Sequence, residues 1–202
     1  MTKIKLCGLT RPEEIQAVNQ LLPEYIGFVF ARKSRRYVSP TRAAELRKGL
    51  HPAITPVGVF VNEPPEQVAA LLEAGTIEMA QLHGGEDENY LCRLRRLTGK
   101  PVMKAFRMDS EEDGEKAQAS SADYVLLDAG EGGTGTAFDW SLLRGVTRPY
   151  FLAGGLNPAN VAGAVKSLAP YAVDVSSGIE TDGVKDREKM AAFVQAVREQ
   201  KG

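Results

Sequence analysis

Residues 124–140, YVLLDAGEGGTGTAFDW, decide how the rest of the chain is read. Tyr124, Val125, Leu126 and Leu127 make an apolar, β-favouring run with the length of a buried strand. The run ends on Asp128 and opens into a loop with glycines at 130, 132, 133 and 135, after which Phe138-Asp139-Trp140 begins a short helical pattern. Glycine tolerates positive φ and lets a ligand approach the backbone closely. An acid at the end of a buried strand, beside a loop this rich in glycine, is the arrangement expected of a chemical site. The same aspartate equally suits the cap of a turn or helix, and both readings stay open on this stretch alone.

Working outward, strand and helix patterns alternate from one end to the other. Ile4-Lys5-Leu6 reads as a first strand, followed by a helix capped at Thr10 with Pro12, Glu13 and Glu14 in its first turn. Ile15, Val18 and Leu22 mark one face of that helix. Tyr25–Phe30 is a second strand, and Ser39-Pro40 opens a helix with Ala43, Leu46 and Leu50 inward. Strands three to five read as Pro56–Val61, Glu78–Leu82 and Pro101–Phe106. Helices follow them at Pro64–Leu72, around Tyr90 to Leu97, and in the polar stretch Ser110–Ala119. The opening stretch is the sixth strand. Tyr150–Ala153 is the seventh, with a helix from Asn157 or Pro158, and Tyr171–Val175 is the eighth. The last helix runs from about Asp186 to Gln200, with Met190, Phe193, Val194 and Val197 on one face.

Eight strands alternating with eight helices at roughly 25 residues per unit have a favoured closure, the (β/α)8 or TIM barrel of the α/β class. An open doubly wound sheet is the alternative, and it usually has fewer strands. No composition break divides residues 1–202, so a single domain is expected.

Composition narrows the function. Lysine and arginine number 25 against 26 acids, a net charge of -1, so no overall field favours nucleic acid or an anionic membrane. No apolar run approaches the ~20 residues of a membrane span, and the N-terminus lacks the apolar core of a signal peptide. A cytoplasmic protein is expected. Cys7 and Cys92 are the only cysteines and His51 and His83 the only histidines, with no CxxC or metal-ligand spacing. Neither a disulfide framework nor a bound metal is expected. Cys92, mid-helix beside Leu91 and Leu94, reads as a small buried hydrophobe.

In a barrel of this kind the active site is built from the loops at the C-terminal ends of the strands. The residues falling there include Cys7-Gly8, the cationic run 32–36, Asn62, His83-Gly84-Gly85, Arg107, Asp128, Gly154-Gly155 and Ser176-Ser177-Gly178. Glycine pairs and small hydroxyls after strands seven and eight expose backbone N–H groups, and a short helix near Ser177 would add its positive end. Such a cradle holds a phosphate without a basic side chain. A phosphorylated small molecule is implied.

The segments KLCGLT (5–10), GFVFARKSRRYVSP (27–40), VGVFVN (57–62), QLHG (81–84), KAFR (104–107), LLDAGEGGTGTAFDW (126–140), LAGGLNPANV (152–161) and DVSSGIE (174–180) resemble, in order, those of the phosphoribosylanthranilate isomerase family. The resemblance implies an Amadori rearrangement in tryptophan biosynthesis: N-(5'-phosphoribosyl)anthranilate becomes 1-(2-carboxyphenylamino)-1-deoxyribulose 5-phosphate. It implies no cofactor. It further implies Asp128 as general acid, Cys7 as general base and Arg36 as the partner of the anthranilate carboxylate. Phosphate is then expected against Gly133, Gly154, Gly155, Ser176, Ser177 and Gly178. His83 and Arg107 either line the pocket or sit on the rim with other partners. Rival readings are an epimerase or an indole-forming lyase on the same barrel, and a barrel that binds a phospholigand without turning it over. A monomer and a homodimer are equally compatible with the sequence.

Overall fold

The computed structural model describes residues 1–128, 140–143 and 145–200. Eight parallel strands close into a barrel in chain order: β1 (Lys3–Cys7), β2 (Tyr25–Val29), β3 (Thr55–Phe60), β4 (Met79–Leu82), β5 (Val102–Arg107), β6 (Tyr124–Asp128), β7 (Tyr150–Ala153) and β8 (Ala172–Val175). Closure is made by β8 pairing with β1, with Lys5 opposite Asp174 and Leu6 opposite Val175. The helices between strands are α1 (Pro12–Leu21), α2 (Pro40–Lys48), α3 (Pro65–Glu73), α4 (Glu88–Leu97), α5 (Glu111–Ala119) and α6 (Val161–Leu168). After β8 come a short antiparallel hairpin, β9 (Glu180–Thr181) and β10 (Val184–Lys185), and then α7 (Arg187–Arg198).

The two-residue period of a strand sorts the side chains into two cores. Ile4, Leu6, Ile26, Phe28, Val125 and Leu127 point outward and pack against the helices. Tyr25, Val57, Met79, Met103, Leu126 and Phe151 point inward and fill the lower barrel. Above them Cys7, Val29 and Val59 form a small apolar layer beneath the C-terminal rim. Three buried polar residues, Lys5, Gln81 and Asp174, share this inward parity.

Several local expectations need correction. The N-cap of α1 is Arg11, not Thr10, because Glu14 reaches back and its carboxylate accepts from the N–H groups of both Thr10 and Arg11 (2.6 and 3.1 Å). Leu22 leaves the apolar stripe: it takes the left-handed C-cap conformation (φ 48°) and is exposed. The segment after β6 closes with a 3-10 turn, Trp140–Leu143, so the described residues contain seven α-helices where eight were expected. Helix α6 starts at Val161, because Asn157 accepts from the N–H groups of Ala159 and Asn160 and holds the chain in a turn first. Cys92 is exposed, not buried. Leu91 and Leu94 take the inward stripe of α4, and one residue of helical rotation carries position 92 out to solvent.

The loops after β7 and β8 lock together at Gly178, in the 3-10 turn Ser177–Ile179, where a Cβ would overlap the carbonyl oxygen of Leu156. Replacing it by alanine forces two backbones apart. Gly178→Ala is expected to cost about 1–3 kcal/mol in denaturant unfolding, the range for overpacking a closed contact.

Candidate active site

Inward parity at the upper ends of the strands places Cys7, Gln81, His83, Asp128, Asp174 and Ser176 around one cavity of about 300 Å³, together with Arg36 and the loop residues Gly154, Gly155 and Ser177. A larger cavity of about 530 Å³ lies near the N-terminal ends of β7 and β8, lined by residues such as Leu143, Val146, Tyr150 and Tyr171. Its one charged side chain, Arg148, is engaged with the carbonyls of Ala117, Ser120 and Ala122. The chemistry therefore collects in the smaller, upper cavity.

Cys7 is the last residue of β1 and buried, facing Gly27 on β2, where a Cβ would stand 2.5 Å from the sulfur. The glycine makes room for the thiol. Gly8 follows with φ 84°, a value that lets the chain turn away from the strand without strain. Burial pushes the Cys7 thiol above its ordinary pKa, while the charges of Lys5 and Lys185 oppose that shift. Ser176 Oγ donates to the Cys7 carbonyl at 3.1 Å, tying the ends of β1 and β8 together.

Asp128 ends β6, and its Oδ2 lies 3.2 Å from His83 Nε2. Gln81 Nε2 lies 2.9 Å from His83 Nδ1. With the Gln81 amide donating to Nδ1, the ring proton sits on Nε2 and is donated to Asp128. The loop carrying His83 is pinned from below. Glu86, buried, accepts from the N–H groups of Asn62 (2.7 Å) and Gly84 (2.8 Å), and Lys104 donates to the Gly84 carbonyl at 2.7 Å. Burial holds the Lys104 pKa below its ordinary value despite the nearby Glu86 carboxylate. That lysine points outward from the barrel and serves as a strut.

Arg36 reaches the cavity from the loop after β2 and is held by Glu180 in a bidentate pair, Nε to Oε1 at 2.5 Å and one terminal nitrogen to Oε2 at 2.7 Å. Lys185 donates to the same Glu180 carboxylate at 2.7 Å and to the Ser176 carbonyl at 2.9 Å. Burial alone would raise the Glu180 pKa, but the hydrogen bonds and charges of Arg36 and Lys185 hold it below the ordinary carboxylate value.

The predicted phosphate residues fall into three groups. Gly154 (φ 95°), Gly155 (φ 62°), Ser176 and Ser177 line the cavity. Gly178 sits behind them, in the contact with Leu156. Gly133 lies outside the described residues. Arg107, at the end of β5, pairs with Asp109 at 2.9 Å with a largely exposed side chain, and is not part of the cavity lining. Among the described residues no group of three His, Cys, Asp or Glu side chains has a geometry that would hold a metal ion.

Lys5, Gln81, Asp174, Glu180 and Lys185 were missed by the sequence reading. A signal for three of them was present: stepping back two residues from Cys7, His83 and Ser176 gives Lys5, Gln81 and Asp174. Among the described residues Gln81 Oε1 and Asp174 Oδ1 are buried without a hydrogen-bond partner, and both residues line the cavity. Such a site suits a polar ligand with donors to offer.

Residues 4–196 match the family model described as N-(5'phosphoribosyl)anthranilate (PRA) isomerase. The chain is 46% identical to the N-(5'-phosphoribosyl)anthranilate isomerase of Endomicrobium trichonymphae over 202 residues, 98% of this chain and 99% of that one. It resembles the crystal structure of phosphoribosyl anthranilate isomerase from Thermotoga maritima with a TM-score of 0.88 at 35% identity, covering 98% of this chain and 100% of the other. A further neighbour (TM-score 0.86, 34% identity, 98% and 100% covered) is a phosphoribosyl anthranilate isomerase in complex with reduced 1-(o-carboxyphenylamino)-1-deoxyribulose 5-phosphate.

The depressed Glu180 carboxylate makes a signed prediction. Its pairing contributes stability above the ordinary carboxylate pKa, and that contribution is lost as pH falls through the folded-state value. Glu180→Gln should lower the melting temperature at pH 7, where Arg36 and Lys185 lose their counter-charge. The difference from the parent protein should shrink at an acid pH below the depressed folded-state value, where the parent carboxylate is itself protonated. Melting curves at the two pH values check this.

Proposed function

The chain belongs to the N-(5'-phosphoribosyl)anthranilate isomerase family, and we propose that it carries out that family's reaction with Cys7 as general base and Asp128 as general acid. The reaction converts N-(5'-phosphoribosyl)anthranilate to 1-(2-carboxyphenylamino)-1-deoxyribulose 5-phosphate in tryptophan biosynthesis. The observation that carries the assignment is that Cys7, from the first strand, and Asp128, from the sixth, line one cavity with a glycine-and-serine phosphate cradle on its rim.

The chemistry asks for one acid and one base on either side of a sugar. Asp128 gives its proton to the ring oxygen as the C1'–O bond breaks and the anilino nitrogen supplies the electrons of the new C=N bond. Cys7 takes the C2' proton, and that electron pair becomes the C1'=C2' bond of an enolamine. Loss of the 2'-hydroxyl proton and protonation of C1' then give the ketone. His83, donating to Asp128 and steadied by Gln81, sets the direction of the acid. No step calls for a metal or cofactor.

Arg36 takes the anthranilate carboxylate in this reading. Glu180 occupies its Nε edge, which fixes the plane of the guanidinium beside the cavity. Gly154, Gly155, Ser176 and Ser177, backed by Gly178 and joined by Gly133, take the phosphate. Positive φ at Gly154 and Gly155 supports this, since a side chain there would be strained and would shield the backbone from an anion. A cytoplasmic monomer or homodimer, acting without nucleic acid or membrane, completes the reading; the near-zero net charge supports it.

Cys7→Ala and Asp128→Asn should each lower kcat by at least about a hundredfold with little change in substrate binding, as expected on removing a general base or acid. The loss of anthranilate fluorescence measures the turnover. Arg36→Met should instead raise KM by at least about tenfold, the cost of a charge-assisted pair, with a smaller effect on kcat. Phosphoribosylanthranilate bound but not consumed by the parent protein would favour the non-catalytic barrel.

A further inference from the structure

One layer below Cys7, on the same inward face of β1, Lys5 is fully buried in the middle of the barrel. An ammonium ion there is an expensive choice, because an aliphatic side chain would fill the layer without leaving water. Its Nζ donates to Asp174 Oδ2 at 2.9 Å, and the Cys7 thiol lies two residues along on the same inward face of the strand. Burial disfavours the ammonium, yet the Asp174 carboxylate and Cys7 outweigh it and keep the Lys5 pKa above the ordinary lysine value. The cation therefore persists through the pH range in which a thiol titrates.

The charged groups facing Cys7 come from four segments: Lys5 on β1, Asp174 on β8, Lys185 on β10 and Arg36 in the loop after β2. From β2 itself Cys7 meets Gly27 and Val29, neither of them charged. Glu180 is shared by Arg36 and Lys185. Three cations thus stand against two carboxylates, a balance that one thiolate brings to neutrality. Lys5 shares the inward face of β1 with Cys7 and is the cation that acts most strongly on the thiol, whereas Arg36 and Lys185 spend their hydrogen bonds on Glu180 and Ser176.

We propose that Lys5 is a positioning residue that stabilises the thiolate of Cys7, with Asp174 holding its ammonium beneath the sulfur. The proposal rests on Cys7 being the general base. Burial strengthens that base towards a carbon-bound proton, and the Lys5 charge offsets part of what burial costs its deprotonated form.

Alkylation by iodoacetamide as a function of pH reads the thiolate directly, because only the thiolate is nucleophilic. The measurement is made in a Cys92→Ser background, since Cys92 is exposed and would react as well. Lys5→Met should slow alkylation of Cys7 at pH 7 by roughly tenfold, the effect of losing one close charge from a buried pair. Asp174→Asn should do the opposite and speed it, because the same ammonium then faces Cys7 without its counter-charge. A merely structural role for the pair would move both variants in one direction. Lys5→Met/Asp174→Asn leaves no orphaned charge and guards against misfolding; it too should react more slowly than the parent. The rising limb of the pH profile of kcat/KM should shift in step with alkylation.

Unchanged alkylation in Lys5→Met and in the double variant, or slower alkylation in Asp174→Asn, would overturn the proposal. Full turnover in Cys7→Ala is a separate failure: it would remove Cys7 as base while leaving the alkylation result to stand on its own.

Discussion

The pairing of β1 with β8 is the constraint on which the rest of the molecule depends. Only when residues 3–6 lie beside residues 172–175 does the sheet close, and only then does a thiol at position 7 meet serines at 176 and 177. The register is specific: Lys5 stands opposite Asp174, so the buried ion pair forms only in that alignment. A slip of β1 by one residue would turn Lys5 and Cys7 out towards the helices and Ile4 and Leu6 into the barrel. Charge complementarity across the seam and apolar packing outside it select the same alignment.

The upper half of the barrel is stabilised differently from the lower half. Below, Tyr25, Leu126 and Phe151 fill the interior with close aromatic contacts, the Tyr25 and Phe151 rings lying 5.2 Å apart edge to face. Above, the same inward positions hold Lys5, Gln81, His83, Asp128 and Asp174, and packing gives way to a network of hydrogen bonds and charges. Outside that network, buried ion pairs hold the loops: Glu86 with Lys104 under the His83 loop, and Glu180 with Arg36 and Lys185 beside Ser176. Each pair fixes the backbone that carries a functional group, which is a use of buried charge for geometry more than for stability.

The strand–helix alternation was legible because each strand is a short apolar run and each helix carries a 3.6-residue stripe. The rim assignment followed from it, since strand ends are where parallel barrels expose their loops. Misreadings arose where local side-chain bonds override periodicity. Glu14 moves a cap from Thr10 to Arg11, and Asn157 delays α6 to Val161. Cys92 was judged by the company of two leucines when its angular position on α4 decides its exposure. Glu180 and Lys185 were invisible for another reason: Arg36, the partner of Glu180, lies 144 residues away, and the β9–β10 hairpin folds Lys185 back onto the same carboxylate. Arg107, at a strand end by sequence, turns to Asp109 instead of the cavity.

Two unpartnered acceptors bear on why the site is built from polar side chains at all. Gln81 Oε1 and Asp174 Oδ1 are each buried and accept no hydrogen bond from the described residues, an arrangement that costs about 1–3 kcal/mol per group when nothing else satisfies it. Each belongs to a residue whose other polar atom is already committed, Gln81 Nε2 to His83 and Asp174 Oδ2 to Lys5. Neither can rotate to find a new partner without releasing the group it orients. The acceptors are therefore held open by the hydrogen-bond network itself, and a hydroxyl donor entering the cavity meets them already aimed. A ligand rich in hydroxyls recovers what the folded chain gives up, whereas an apolar ligand of the same volume leaves both acceptors stranded. The fixed orientation of this polar network and the open acceptors it leaves towards the cavity thus have one physical origin.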